Sequence, residues 1–163
     1  ECSAEQMPFI EQKFPTYTSF ANADLRTIYG DQALANALHY VAYDFASVYV
    51  ENLGEGNFKI HPLPIEAQFG PTLATTIVDL NGDGHLDIIG VGAMHDAEIE
   101  TVRYDSNRGY VLLGNGKGSF NAVQHTGLLL KNHAKDISIL NIKDIPTFII
   151  SNNNNQVDLR RIK

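Results

Sequence analysis

The chain has 163 residues, 44% of them apolar and 19% charged, with a formal net charge of −7. That composition describes one globular domain or a piece of a larger protein, and it is not that of a disordered chain. No apolar run approaches the ~18–20 residues that span a bilayer, so no membrane span is expected. With 12 basic against 19 acidic side chains, and no basic block longer than Arg160-Arg161, there is no phosphate-tracking surface, and nucleic acid is not an expected partner.

The lone cysteine, Cys2, offers neither an internal disulfide nor a cysteine-based zinc site. The sequence starts at Glu1 without an initiator methionine or a basic-then-apolar leader, as expected of a processed or truncated product.

Residues 1–45 read as helical. Met7, Ile10 and Phe14, then Phe20, Leu25, Ile28 and Tyr29, recur at spacings suited to short amphipathic helices. Pro15 begins a new turn, Gly30 stops the helix ending at Tyr29, and Asp31 caps a further turn in which Leu34, Ala37 and Leu38 share a face. Three short helices are expected.

From Phe45 onward β-branched and aromatic runs alternate with glycine and asparagine clusters, the grammar of antiparallel strands and hairpins. The strands expected are Ser47–Asn52, Phe58–Pro62, Ala74–Asp79, Leu86–Gly92, Tyr110–Gly114, Asp136–Leu140, Thr147–Ser151 and Gln156–Ile162.

These runs repeat at an offset of 62. Val48-Tyr49-Val50 and the turn Gly54–Phe58 match Tyr110-Val111-Leu112 and the turn Gly116–Phe120, while Ile77-Val78-Asp79 through Ile88 matches Ile139-Leu140-Asn141 through Ile150. A unit of ~40–60 residues with about four strands is the format of a propeller blade, and a closed ring takes roughly four to eight blades. The expected fold is therefore mainly β, a partial propeller of about two four-stranded antiparallel blades over 46–163, preceded by a helical segment over 1–45. Either the chain is a slice of a longer propeller or the helices cover an open sheet edge, which otherwise invites self-association.

The sharpest chemical signal is Asp79-Leu80-Asn81-Gly82-Asp83-Gly84-His85-Leu86-Asp87. Asp79, Asn81, Asp83 and Asp87 place side-chain oxygens at positions one, three, five and nine. His85 at position seven offers its carbonyl, and Gly84 at position six permits the tight reversal. An all-oxygen set suits calcium over zinc or copper, and so large a cage suits it over magnesium. Position twelve is Gly90 and the flanks are strand-like, so an EF-hand is rejected. The bland reading is a metal-free Asn-Gly and Asp-Gly turn. One repeat later Asn141, Lys143 and Ile145 replace Asp79, Asn81 and Asp83, so one calcium site is expected and not two.

That turn, with the glycine hairpins Gly54–Phe58 and Gly116–Phe120, resembles the FG-GAP and VCBS repeats of integrin-like propellers and secreted bacterial proteins. The path from Phe14-Pro15-Thr16-Tyr17 through Val50–Gly54 to Arg103-Tyr104-Asp105 and Leu113–Gly118 is similar to the C-terminal end of bacterial ASPIC/UnbV-type VCBS-repeat proteins. The resemblance implies a calcium-stiffened, non-catalytic module, extracellular or at the bacterial cell surface, with a binding or adhesive role toward a protein or glycan. An accessory region of a polysaccharide-processing enzyme and a purely structural propeller segment are the alternatives.

Other features are weighed against plainer readings. Gly90-Val91-Gly92 lacks the third glycine and following helix of a dinucleotide fingerprint, and Gly114–Ser119 lacks the helix of a phosphate loop. The acidic stretch from His95 to Asp105 lies between strands, where Glu100, Arg103, Tyr104 and Asp105 could meet a partner; the plain reading is a solvated loop with Arg103 paired to Glu100 or Asp105. No hydrolase motif is visible, and His39, His61, His125 and His133 read as surface or packing residues. A paired-carboxylate glycosidase stays open, because carboxylates ~5–9 Å apart in space have no fixed sequence spacing.

Overall fold

The computed structural model describes residues 2–143 and 145–161. With 34% strand and 18% helix the protein is mainly β, and its contacts divide it into two units, Glu1–Asp44 and Phe45–Lys163.

Among its described residues the first unit holds five helical turns where three were expected: α1 Cys2–Gln6, α2 Phe9–Lys13, α3 Tyr17–Ala21, α4 Leu25–Tyr29 and α5 Asp31–Asn36. Local capping explains the extra breaks. Pro8 stands before α2 and cannot donate into a continuing helix. Thr16 forms a reciprocal capping box with Ser19 at α3, and Asp24 accepts from the Thr27 N–H at 2.7 Å to start α4, dividing the stretch that periodicity had joined. Ile10 and Ile28 are the buried apolar residues of this unit among those described. Leu38 does not join the face of Leu34: the helix ends at Asn36, the Ala37 backbone is extended, and Leu38 lies open to water.

The described residues of the second unit form three antiparallel sheets. β1 Val48–Gly54 pairs with β2 Asn57–Pro62. The strands β3 Ala74–Val78, β4 Asp87–Val91, β5 Tyr110–Gly114 and β6 Phe120–Ala122 form a four-stranded meander. The third sheet is β7 Ala134–Ile142, β8 Ile145–Asn152 and β9 Asp158–Arg161. β6 is three residues long, too short to leave a run of its own in the sequence. The expected last strand extended to Ile162, which lies outside the described residues. No closed ring of sheets forms among the described residues.

Register shows how the internal offset is expressed. Val50 pairs with Ile60 in the first hairpin and Leu112 with Ala122 in the meander, so both partners move by 62 and β1–β2 stands in the place of β5–β6. In the other pair of hairpins Ile77 opposes Ile88, but Ile139 opposes Phe148, a slip of two residues on the second strand. The cause is the connection. Eight residues, from Asp79 to Leu86, join β3 to β4, whereas β7 and β8 zip up to the pair Ile142 and Ile145.

β4 is the keystone of the packing. Ile89 and Val91 enter one core with Leu130, Ala134, Ile137, Phe148 and Ile150, while Ile88 packs on a second core made by Ala67, Tyr110 and Leu112. A strand buried on both faces needs continuous apolar character, which is what Ile88-Ile89-Gly90-Val91 supplies. Gly90 is required by close approach: a Cβ there would stand 2.0 Å from Cζ of Tyr110, its ladder partner on β5. The neighbouring hairpin is fastened by Gln68, whose amide oxygen accepts from the Ser47 N–H at 2.7 Å and whose amide nitrogen donates to the carbonyls of Ser47 and Leu63. Tyr49 meets Phe120 edge-on with ring centroids 5.6 Å apart.

Gly90→Ala is expected to lower unfolding free energy by about 1–3 kcal/mol through overpacking against the Tyr110 ring. Urea denaturation checks this, and an unchanged midpoint would contradict the assigned packing.

Candidate functional site

The aspartate-rich loop and the glycine turn, singled out separately in the sequence, form one structural unit. The loop connects β3 to β4, and the glycine turn connects β5 to β6, at the same end of the meander. Asp87, the first residue of β4, is fully buried. Its Oδ2 accepts from the Leu80 N–H at 2.8 Å and its Oδ1 from the Gly114 N–H at 2.8 Å, so one carboxylate ties the start of the loop to the end of β5. Backbone closeness enforces the pairing. A Cβ on Gly114 would fall 2.2 Å from the Leu86 carbonyl oxygen, and one on Gly116 would fall 2.5 Å from Nδ1 of His85. The His85 ring thus lies across the bare backbone of the second turn, where Gly116 also takes the positive φ of +67° that favours glycine.

The rest of the loop is wound on its own amides. Asp79 Oδ1 accepts from Gly82 N–H at 2.8 Å and Asp83 N–H at 3.2 Å, and its Oδ2 accepts from Gly84 N–H at 2.9 Å. Asn81 Oδ1 accepts from Asp83 N–H at 3.1 Å, while its Nδ2 donates to Asp83 Oδ2 at 2.9 Å. Asp83 Oδ1 accepts from His85 N–H at 2.8 Å. The Asn81 amide, aided by the His85 N–H, holds the exposed Asp83 carboxyl below its ordinary 3.8. These side chain to backbone bonds fold the loop into successive turns, with Gly82 and Gly84 supplying the positive φ.

All five expected loop residues are therefore brought together. Asn81, Asp83 and His85 are exposed, Asp79 before them is half-buried, and Asp87 after them is buried. A carboxylate oxygen carries about two lone pairs; Asp79 Oδ2, both oxygens of Asp83 and both of Asp87 each accept one hydrogen bond, so a lone pair remains on each. The donors are hard oxygens with no lysine or arginine paired to them among the described residues. That chemistry fits calcium. Among the described residues, no group of three or more His, Cys, Asp or Glu side chains is arranged to hold a metal ion; in this conformation the carboxylates face the loop's amides.

The stretch His95–Asp105 forms a separate feature. Met94 and Tyr104 exchange backbone hydrogen bonds of 2.9 and 2.8 Å and close the excursion between them. Tyr104 is half exposed and Ile99 almost fully so, with Glu100, Arg103 and Asp105 on or beside the same excursion. The loop is largely solvated, as the plain reading has it, but Arg103 forms no ion pair with Glu100 or Asp105, nor with any other described residue. The root of the loop is anchored by Asp96, which accepts from Asn153 Nδ2 at 2.9 Å.

Beside that anchor lies a histidine whose setting the sequence did not reveal. His133 is buried, stacks on His95 at 5.0 Å between centroids, and has Asp96 Oδ2 3.5 Å from its Nδ1, yet neither ring nitrogen has a hydrogen-bond partner. The rings are only 25° from parallel, so their in-plane lone pairs run side by side and do not converge on an ion. The long-range juxtaposition of residues 95–96 with 133 left no sequence signal.

No protein-family model matches the chain, and no curated protein or solved structure matches it either.

Asp87→Ala is expected to leave the Leu80 and Gly114 amides without their acceptor and to cost about 2–4 kcal/mol, the desolvation of two buried donors. Chemical denaturation of this variant measures the loss, and a change below ~0.5 kcal/mol would contradict the clamp.

Proposed function

We propose that the Phe45–Lys163 unit is a calcium-stapled, non-catalytic binding module of an exported or surface-displayed repeat protein of the FG-GAP/VCBS kind. The observation that carries this reading is the Asp79–Asp87 loop. Three carboxylates and an amide oxygen share one short loop without a basic partner among the described residues, and one of the carboxylates, Asp87, is wholly buried. A buried anion held only by neutral donors is costly, and a bound cation offsets that cost. Asp79, Asn81, Asp83 and Asp87 would hold the ion by side chain and His85 by its carbonyl, in one site. The metal supplies positive charge and a cross-link, and it stabilises the folded state by mass action.

In this reading calcium fixes the β3–β4 loop against the β5–β6 turn, and the binding surface lies elsewhere. The excursion bearing Glu100, Arg103, Tyr104 and Asp105 supplies an aromatic face beside mixed charges, suited to a glycan or a protein surface. An accessory role beside a polysaccharide-processing domain would use the same surface.

A thermal melt in EDTA and across ~10 μM to ~10 mM calcium is expected to show a saturable rise in Tm, in the range of weak extracellular sites. Asp83→Ala is expected to abolish most of that rise. Equal melting with and without calcium in parent and variant, with no metal found on analysis of the parent, would overturn the metal assignment.

On an immobilised glycan panel the parent is expected to bind, and Tyr104→Ala to bind about tenfold more weakly with an unchanged melt. Equal binding by the two proteins would remove Tyr104 from the binding surface.

A further inference from the structure

The core that β4 shares with the third sheet stops short of the outer strands. On the meander, the face bearing Ile89 continues through its ladder partner Val111 and through Leu113, two residues further along β5. The third sheet answers with Ile137 on β7 and Phe148 on β8, but the ladder partner of Phe148 on β9 is Arg160. Cross-strand partners share a face. β9 therefore turns an arginine to the core side and Leu159, 54% exposed, to the other, the reverse of the pattern that packs a strand on a core. Such a break in patterning marks a functional position more often than a packing one.

A cleft of about 500 Å³ opens at this place, within the ~300–1,000 Å³ of small-molecule pockets. Buried Ile89, Ile137 and Phe148 and half-buried Val111, Leu113 and Leu128 line it. Its polar side chains are Asn81, Thr126, Arg160 and Arg161. The first two are engaged: Asn81 is bonded to Asp83, and Thr126 accepts from the Leu128 N–H at 3.1 Å. Arg160 donates from one amino nitrogen to Asp158 at 2.8 Å and from the other to the Leu159 carbonyl at 3.0 Å, which leaves three of the five guanidinium N–H groups. Arg161 forms no ion pair among the described residues.

The charge of the cleft runs against that of the chain. There are 19 acidic side chains against 12 basic ones, yet among the described residues no acidic side chain lines the cleft and two arginines do. A matching occupant is apolar over most of its length and anionic at one end. A peptide fits less well than a hydrocarbon chain, because walls of this kind leave its amides without partners.

We propose that the cleft between the meander and the third sheet binds an acyl-chain carboxylate. Its chain lies against Val111, Leu113 and Leu128, and its head group meets the guanidinium of Arg160, whose fork of donors suits a carboxylate. This reading does not rest on calcium in the Asp79–Asp87 loop.

Isothermal titration of the full chain with decanoate tests this, with 1-decanol as the probe that lacks the charge. Decanoate is expected to bind with a Kd of ~10–100 μM, octanoate about tenfold more weakly through the loss of two buried methylenes, and decanol at least ~10-fold more weakly than decanoate. Arg160→Gln is expected to weaken decanoate about tenfold and to leave decanol unchanged, a split between probes that a purely structural role would not produce. Arg160→Lys keeps the charge and is expected to stay within about threefold of the parent. Leu113→Asp sets a carboxylate on the cleft wall and is expected to abolish decanoate binding. The melts of the Arg160 variants, in EDTA and in calcium, should follow the parent's, which separates failure of this site from failure of the metal site. No binding of decanoate up to ~1 mM, equal binding of decanoate and decanol, or binding indifferent to Arg160→Gln would overturn the proposal. Binding of an apolar peptide with a free C-terminal carboxylate where decanoate fails would assign the cleft to a protein partner and overturn it as well.

Discussion

A single buried carboxylate organises the chemically distinctive end of this protein. Asp87 opens β4, is closed to solvent, and spends one oxygen on the amide of Leu80 and the other on the amide of Gly114. It therefore fixes where the β3–β4 loop begins and where β5 ends. Everything beyond it follows from that distance: the loop must turn on its own amides because its ends are held, and the glycine turn must be bare because the His85 ring and the Leu86 carbonyl lie against it. A carboxylate in this position is costly as an isolated charge, which makes a cation beside Asp79, Asn81 and Asp83 a physically coherent addition.

The same strand also divides the interior. β4 feeds Ile89 and Val91 to one core and Ile88 to the other, so displacement of Asp87 would be transmitted to both faces of the meander. Rigidity of the loop and integrity of the two cores are thus one property. The calcium reading gains force from this coupling, since a staple at the loop stabilises a strand that both cores share. The excursion closed by Met94 and Tyr104 leaves from the far end of β4, where a binding surface can vary without disturbing the clamp.

Much of this was legible in the residues. Alternation and turn chemistry located eight of the nine strands among the described residues, because each carries β-branched or aromatic runs bounded by glycine, proline or asparagine. β6 escaped because three residues hold too little periodicity. The position of the loop between β3 and β4 was legible because its aspartate, asparagine and glycine turn formers lie together in the chain. Three kinds of information were not. Helix breaks at Pro8, Thr16 and Asp24 depend on caps that compete with an apolar period continuing through them. The two-residue slip between Ile139 and Phe148 depends on a turn tightening that the constant offset of 62 concealed. The clamp between Asp87 and Gly114, and the stacking of His95 on His133, join residues 27 and 38 positions apart in the chain, and pairings of that range leave no local pattern.

Amide hydrogen exchange at Leu80 and Gly114, followed by NMR in EDTA and in saturating calcium, tests the central claim most directly. If the Asp87 carboxylate holds both amides and the loop binds calcium, both exchange slowly in EDTA and their protection rises together by at least ~10-fold when calcium is added. Exchange of either amide at the rate of an open loop, or protection that calcium leaves untouched, would contradict the account.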